Sequence, residues 1–389
     1  MDDAFLPAPL LARIAARAPG YDRDNRFFDE DLAELTGTGY LRLAVPVEHG
    51  GHGLPLPAVV DEQMRLARHA PATALALVMP LTWTGVAAQL AAAGDASLAR
   101  VLEEAAAGHV YAYGYSEPGN DVFWDDSLTR AVPDGEGGYA FHGTKIFTSL
   151  SPAWTRLGVF GRDDSDPADP RIVHAIIERA SPGYRIEETW DVLGMRATQS
   201  HTTVLEGVRA APDRVIRRLP VGPQRDPFIV ATLGWFEPMI AAVYCGIAER
   251  ALELAAEAVH RRTSLEHGGR RLADDPVVRR RIAEMALELD GLRPQIATIA
   301  REWADGVDHG ERWGPLLVGL KHRVTMGARH VVDAALDVAG GGALFAGNEL
   351  QRLYRDVRAG TFHPASVDRV HDVVAGAVLG PPGEGQSEA

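Results

Sequence analysis

Cysteine and lysine are scarce in this chain of 389 residues: cysteine occurs once, as Cys245, and lysine only as Lys145 and Lys321. A single cysteine excludes an intrachain disulfide and a metal centre built from several cysteines. It is typical of a reducing cytoplasm, where we expect the protein to reside. The first residues lack the basic segment and apolar core of a secretory signal. No uninterrupted apolar run reaches the length of a bilayer span, so we expect no membrane association.

Acidic residues outnumber basic ones, and the formal net charge is −14. Nucleic acids and anionic membrane surfaces both require a basic protein face, so this charge argues against either partner. No Gly-x-Gly-x-x-Gly pattern follows a predicted strand, and we therefore expect no nicotinamide-binding domain. The hydrophobic content of 46% is ordinary for a soluble globular protein, and the length allows two or three domains.

Three regions of different character follow one another. Residues 1–110 have apolar residues at helical spacing, residues 111–212 contain short β-rich runs between Gly, Pro and Asp clusters, and residues 225–380 return to long helices. We expect an N-terminal helical domain, a small β-barrel or sandwich, and an antiparallel bundle. Residues 381–389 are polar and are predicted to form a disordered tail. The four bundle helices are predicted at 238–263, 276–306, 313–339 and 364–379.

Short motifs occur along these regions in a characteristic order. They are Glu-His-Gly-Gly-His-Gly at 48–53, Tyr-Gly-Tyr-Ser-Glu-Pro-Gly at 113–119, Gly-Thr-Lys-Ile-Phe-Thr-Ser at 143–149, Gly-Met-Arg-Ala-Thr at 194–198, and Arg-Asp at 355–356 after a triple glycine. Together with the order of the regions, they resemble the acyl-CoA dehydrogenase superfamily over nearly the whole chain. The resemblance implies an acyl-CoA dehydrogenase-like α+β fold, a flavin cofactor, and a homo-oligomer that we expect to be a tetramer.

The resemblance also assigns flavin contacts to the β region. Tyr115 and Ser116 would supply backbone and hydroxyl hydrogen bonds to the pyrimidine edge of the flavin. Phe147 would cover the flavin ring, and Ser149 would face its N5 atom. The alternative is that these residues are ordinary strand ends and turns.

Further flavin contacts are implied for the C-terminal region. Arg261 would reach the flavin of a partner subunit, and Gly340, Gly341 and Arg355 would complete the cofactor site. The alternative for Arg261 is a solvated helix end. Asp337 replaces a family glutamine near the flavin diphosphate, where a carboxylate disfavours a dianionic ligand. Both FAD and FMN therefore remain open as the cofactor.

The position of the catalytic base departs from the dehydrogenase pattern. In the dehydrogenases a glutamate follows the Arg-Asp pair at a fixed distance, but here that position is Pro364, beside His363. A histidine differs from a carboxylate in charge, reach and pKa, so it is no simple replacement for a base that removes an α-proton. Some relatives carry their glutamate at the start of the first bundle helix, within one residue of Glu237. Glu237 would then serve α,β-desaturation of an acyl-CoA or acyl-carrier-protein thioester, or it is merely an acidic helix start.

His363 at this spacing, together with Ser149, is similar instead to the flavin-dependent two-component (group D) monooxygenases built on the same fold. That resemblance implies a small organic or carrier-bound substrate, and reduced flavin supplied by a separate reductase. His363 and Ser149 would be catalytic, whereas Trp83, Trp124 and His201 are candidate substrate contacts. A structural role is the alternative for both histidines. We expect a monooxygenase without a metal, with the dehydrogenase as the alternative.

Overall fold

The computed structural model describes residues 4–266 and 268–380 of the chain. The described residues form two compact units that meet in sequence between Phe236 and Glu237. The N-terminal helices and the β region, predicted as separate domains, lie in the first unit. The predicted tail at 381–389 lies outside the described residues.

The first unit opens with five α-helices: α1 (Ala8–Arg23), α2 (Asp29–Gly37), α3 (Leu56–Ala67), α4 (Pro71–Ala92) and α5 (Ala99–Ala106). In α4 the buried residues lie on all sides of the helix. A helix without a polar face requires protein around its whole circumference, so α4 is the central helix of this unit.

The β region forms one sheet of eight strands, in the order β6-β7-β3-β2-β4-β5-β8 with β1 added beside β4. Most neighbouring pairs are antiparallel, but β4 runs parallel to both β1 and β2. The register of β3 and β7 shifts between Lys145 and Thr148, so the strand end that follows leaves the regular ladder. The strands are β1 (Tyr111–Gly114), β2 (Arg130–Pro133), β3 (Tyr139–Thr148), β4 (Arg156–Asp163), β5 (Arg171–Glu178), β6 (Tyr184–Glu187), β7 (His201–Ala210) and β8 (Val215–Pro220).

The second unit is helical, as predicted. In it α8 packs against α7, α9 and α10. Its helices are α6 (Pro227–Arg261, which begins before the division), α7 (Pro276–Ala304), α8 (Trp313–Ala339), α9 (Glu349–Val357) and α10 (Val367–Leu379), with a hairpin of β9 (Thr263–Ser264) and β10 (Arg270–Arg271) between α6 and α7.

The first bundle helix corrects one prediction. It begins at Pro227, and Pro238, the predicted start, lies inside it. A proline has no N–H to donate to the carbonyl four residues earlier, which normally ends or kinks a helix. Here Trp235 and Met239 on either side are buried, so tertiary packing sustains the helix across the missing bond.

Two further helix ends differ from the sequence prediction. Helix α9 was not predicted; Asn348 caps it by accepting a hydrogen bond from the Leu350 N–H at 2.9 Å. The last helix starts at Val367 and not at Pro364, with the Ser366 side chain as its cap. Residue 364 therefore belongs to the segment before α10.

Two helices also correct the expectation that no span is apolar enough to cross a bilayer. Both α4 and α6 reach the length and hydropathy of a membrane span. In each, 83% of the apolar window is buried inside the protein, as in the core helices of water-soluble folds.

Candidate functional site

An exposed aromatic ring stands at the end of β3. The side chain of Phe147 is 57% exposed, and its backbone has a φ of +57°. Few residues other than glycine adopt that conformation, and it persists only where the surroundings enforce it. Trp190 meets the Phe147 ring edge-on, with ring centroids 6.0 Å apart. The geometry suits a residue that covers a planar heteroaromatic ligand, as predicted for the flavin ring.

A chain of hydroxyl groups begins at Ser149. Its Oγ lies 2.8 Å from Ser200 Oγ, which lies 2.8 Å from Thr198 Oγ1. Thr198 in turn donates to the Met195 carbonyl at 2.9 Å. Each hydroxyl has one proton, and Thr198 uses its proton to bond to Met195. Ser200 must therefore donate to Thr198, and Ser149 must donate to Ser200. The Ser149 oxygen is left to accept a hydrogen bond from a ligand.

The Tyr115 side chain is less available for contact with a ligand than predicted. Its buried hydroxyl lies 3.2 Å from Nδ1 of His174. Burial lowers the pKa of His174 to about 3, so the ring is neutral and Nδ1 accepts this bond. Any ligand contact at Tyr115 would therefore come from its backbone. The neighbouring Ser116 bonds to β3 through its carbonyl, which accepts the Ile146 N–H at 2.9 Å, and Trp124 packs edge-on against Tyr115 at 6.5 Å.

Two of the candidate substrate residues have other partners. Trp83 has no exposed surface, and its Nε1 donates to the Ala112 carbonyl at 3.1 Å. A side chain so enclosed cannot contact a substrate without rearrangement, so the predicted role of Trp83 is not supported. Nδ1 of His201 accepts the Trp190 N–H at 3.2 Å, and Nε2 donates to Gln199 Oε1 at 2.9 Å. Both ring nitrogens are satisfied, which favours the structural alternative for His201.

Sequence reasoning missed that both lysines are buried. Lys145 Nζ lies 2.7 Å from Glu117 Oε1, and both side chains are almost fully enclosed. Glu117 also accepts the backbone N–H groups of Leu128 and Thr129. Burial alone would raise the pKa of Glu117, but Lys145 and these donors lower it to about 2. The pair ties the loop after Ser116 to the strand that carries the exposed aromatic ring.

His363 in the second unit is held as a neutral ring. Its Nε2 lies 2.7 Å from the hydroxyl of the buried Tyr244. Burial, with the charge of Lys321 second, lowers the pKa of His363 to about 3. Tyr244 therefore donates to Nε2, and Nδ1 carries the ring proton. Gly360 makes this approach possible, because a Cβ there would lie 2.9 Å from the Tyr244 ring and 3.0 Å from Thr325.

Glu237 lies in the interior of α6, not at a helix start, so the helix-start alternative is wrong. Its side chain has no exposed surface, and neither carboxyl oxygen has a hydrogen-bond partner among the described residues. Burial raises the pKa of Glu237 to about 8, although Lys321 opposes the shift. At neutral pH the acid is thus largely protonated. The apolar run at 316–320, which Lys321 directly follows, was the signal that could have found a buried lysine.

Arg261 is at the exposed end of α6. Its side chain is 70% exposed and lies 3.6 Å from Glu257, one helical turn earlier. The neighbouring Arg262 points instead to the end of α8, where it donates to the carbonyls of Val338 and Ala339. Within the chain, Arg262 is the residue that secures the glycine turn, whereas Arg261 stays exposed at the helix end beside Glu257.

The remaining predicted cofactor residues lie at the end of α8 and in α9. Gly340 has a φ of +75° and a ψ of −178°, a combination that essentially only glycine adopts. Gly341 begins the short turn that follows. Arg355 in α9 donates to Gln351 Oε1 at 3.0 Å.

Comparison with known proteins identifies the family. The C-terminal domain model of the acyl-CoA dehydrogenases matches residues 238–367. YdbM of Bacillus subtilis (strain 168), assigned to the acyl-CoA dehydrogenases, is 32% identical over 92% of this chain and 91% of its own. The chain belongs to the acyl-CoA dehydrogenase superfamily. The predicted family, fold and class of flavin-dependent oxidoreductase are thereby confirmed.

Other members of the superfamily are also similar along the whole chain. L-evernosamine nitrososynthase of Micromonospora sp. is 30% identical over 96% of this chain and 89% of its own. Dibenzothiophene monooxygenase of Rhodococcus erythropolis is 27% identical over 96% and 92%. The crystal structure of KijD3, solved with FMN and an amino-sugar nucleotide, has a TM-score of 0.86 and 28% identity, covering 96% of this chain and 92% of that one.

Proposed function

We propose that this member of the superfamily is a two-component monooxygenase. It would transfer one atom of O2 to a small organic substrate and release the other as water. The two electrons would come from reduced flavin delivered by a separate reductase. We further propose that the protein acts in the cytoplasm as a homotetramer.

The observation that carries this proposal is the residue pair at 363–364. Pro364 occupies the position of the dehydrogenase glutamate and has no acid–base group. Beside it, the neutral His363 is a poor base, because its pKa is lowered to about 3. Its Nδ1–H remains a hydrogen-bond donor. Removal of an α-proton by a dehydrogenase requires a base at this position. Because the chain has a hydrogen-bond donor there and no base, the pair supports oxygen transfer.

The relatives support the same chemistry. One is a dibenzothiophene monooxygenase, and converting an amine into a nitroso group, as a nitrososynthase does, also adds oxygen. KijD3 was solved with FMN. We propose FMN as the flavin here, with FAD as the alternative, and an apolar aromatic or amine-bearing compound as the substrate class.

The chain's own residues fit a flavin. Phe147 presents the exposed ring that would cover it, and Ser149 presents an oxygen that can accept a hydrogen bond. When bound, reduced flavin would supply the electrons that activate O2. We propose that Ser149 would help to hold the flavin by accepting a hydrogen bond, that His363 would donate a hydrogen bond from Nδ1, and that Trp124 would contact the substrate.

Anaerobic and aerobic flavin assays test the function. The purified protein should bind reduced FMN, and with O2 and a substrate such as an aromatic thioether or an amino sugar it should form an oxygenated product. A protein purified with tightly bound yellow flavin that an acyl-CoA thioester bleaches without O2 would instead be a dehydrogenase. The second outcome would overturn the proposal.

The dehydrogenase stays the second candidate because of Glu237. A fully buried carboxyl group without hydrogen-bond partners is unusual and is typical of functional positions. If Glu237 is the base, Glu237→Gln should abolish thioester-driven flavin reduction. Under the monooxygenase proposal, we expect Glu237→Gln to change the yield of oxygenated product less than about two-fold, since no proton is taken from the substrate carbon. Flavin absorbance and product analysis of the same variant separate the two functions.

The proposed oligomer gives Arg261 a role. In a tetramer whose flavin sites include a partner's residues, Arg261→Ala should weaken flavin binding roughly 10- to 100-fold, as expected for the loss of a charge-assisted phosphate contact. Folding should be little affected, since the side chain is 70% exposed. Flavin titration followed by fluorescence measures the change.

Arg280→Ala is the matched control for this prediction. Arg280 is also highly exposed, at 81%, and also pairs with a glutamate four residues away, Glu284. Unchanged flavin affinity in Arg261→Ala, or an equal loss in the control, would mean that Arg261 is a solvated helix-end residue without a flavin contact. A monomeric mass in analytical ultracentrifugation with full flavin binding would contradict the tetramer.

A further inference from the structure

The backbone around His363 is bonded to a single ammonium group. Lys321 Nζ donates to the His363 carbonyl at 2.9 Å and to the Ala365 carbonyl at 2.5 Å. These carbonyls lie on either side of Pro364, which has no N–H of its own to anchor the chain. Lys321 thus anchors the backbone of residues 363–365, which form neither helix nor strand.

The two buried lysines of this chain use their donors differently. Lys145 bonds directly to its carboxylate partner, Glu117, at 2.7 Å. Lys321 is 2% exposed, and Glu237 is the buried acid whose charge acts on it. Yet the oxygens of Glu237 have no hydrogen-bond partner among the described residues. A lysine that served only to neutralise Glu237 would bond to it, as Lys145 does to Glu117.

Burying an ammonium group is unfavourable unless its donors are satisfied and its charge is balanced. Here the bonds that satisfy Lys321 go to the segment that carries His363. The ring of His363 is fixed at its other end by the Tyr244 hydroxyl, 2.7 Å from Nε2. Backbone and ring are therefore held from two helices, α8 and α6.

We propose that Lys321 is a positioning residue that holds the backbone at 363–365, so that the His363 ring keeps one place and one tautomer. The catalytic consequence rests on the proposed monooxygenase function; the structural consequence does not. Without the ammonium group, the His363 ring would lose the fixed backbone from which Nδ1 is presented.

Hydrogen–deuterium exchange of the purified protein tests the structural part. Lys321→Met keeps the length of the side chain and removes the donors. Peptides covering 358–366 should exchange several-fold faster in this variant than in the wild type, while peptides from α7 should not change. Arg250→Met is the matched control: it removes a partly buried cation of the same unit, which pairs with Glu349 at 2.9 Å. It should leave exchange at 358–366 unaltered.

Product and hydrogen peroxide, each per reduced FMN consumed, test the catalytic part. In Lys321→Met the rate of substrate oxygenation should fall on the order of 10²-fold, as for a misplaced catalytic group, with O2 diverted to peroxide and KM little changed. In Lys321→Ala, added ethylammonium or propylammonium should restore part of the product yield. A merely structural lysine would not give this rescue.

The double variant Glu237→Gln with Lys321→Met separates positioning from charge balance. It removes the buried acid together with the buried ammonium group, so any effect of the Lys321 charge on Glu237 is absent from both sides of the comparison. We expect it to remain uncoupled and to exchange rapidly at 358–366. Wild-type exchange or wild-type product yield in the double variant would overturn the proposal. A wild-type protein that forms no oxygenated product would refute the monooxygenase, while the exchange data would still decide the role of Lys321.

Discussion

Replacing His363 by alanine is expected to leave binding of reduced FMN intact and to lower substrate oxygenation on the order of 10²- to 10⁴-fold, the range for loss of one positioned proton donor. The ring is neutral, and its Nδ1–H is the donor that alanine lacks. O2 should then be reduced to hydrogen peroxide by the same two electrons, without oxidation of the substrate. Product and peroxide, each measured per reduced flavin consumed, give the ratio.

Two variants serve as controls for this result. Tyr244→Phe keeps the ring of residue 244 and removes only the hydroxyl that holds Nε2, so it should reduce the product yield less than His363→Ala. His330→Ala removes an exposed histidine of α8 and should have no effect. If His363→Ala retains the wild-type product ratio, His363 is structural and the proposed role is wrong.

Replacing Lys145 by methionine should have the largest effect on stability. The variant leaves the carboxylate of Glu117 buried without its cation. Breaking one side of a buried ion pair costs about 3–5 kcal/mol in the free energy of unfolding. Equilibrium denaturation in urea measures this loss.

The double variant Lys145→Met with Glu117→Gln should recover part of that stability, since no buried charge remains unpaired. Arg209→Met is the surface control: it removes the exposed partner of Asp134 in the same sheet and should change little. A Lys145→Met protein as stable as this control would show that Glu117 is satisfied without its lysine.

The same pair predicts how stability depends on pH. The pKa of Glu117 is lowered from 4.5 to about 2 in the folded chain. A carboxyl group with a depressed pKa contributes stability that is fully present above its unfolded pKa and is lost as the pH falls toward the folded one. We therefore expect the free energy of unfolding to fall between about pH 4.5 and pH 2, and less steeply in Lys145→Met.

Much of the fold followed from local pattern. Helical spacing and turn residues predicted the order of helices, sheet and helices, and α8 was placed at the residues where it occurs. The start of α6 was misplaced because a proline ordinarily marks a helix beginning, whereas at Pro238 packing on both sides overrides it. The capped α9 was missed, although Asn348 is a typical N-cap residue.

The candidate site divides in the same way. The sequence by itself determined the family, because motifs from all three regions occur along the chain in the order typical of that family. It also predicted Pro364 at the position of the dehydrogenase base, beside His363. The structure favours a structural role for Trp83 and His201, which residue type alone could not distinguish from a substrate contact.

Tertiary structure decided the chemical state of the groups. The neutral ring of His363, the protonated acid of Glu237 and the backbone bonds of Lys321 all arise where α6, α8 and the segment before α10 meet. A pKa depends on how much water a group loses and which charges lie within a few ångströms. Those neighbours are far apart in sequence, so the residue types could be read from the chain, whereas their protonation and partners required the fold.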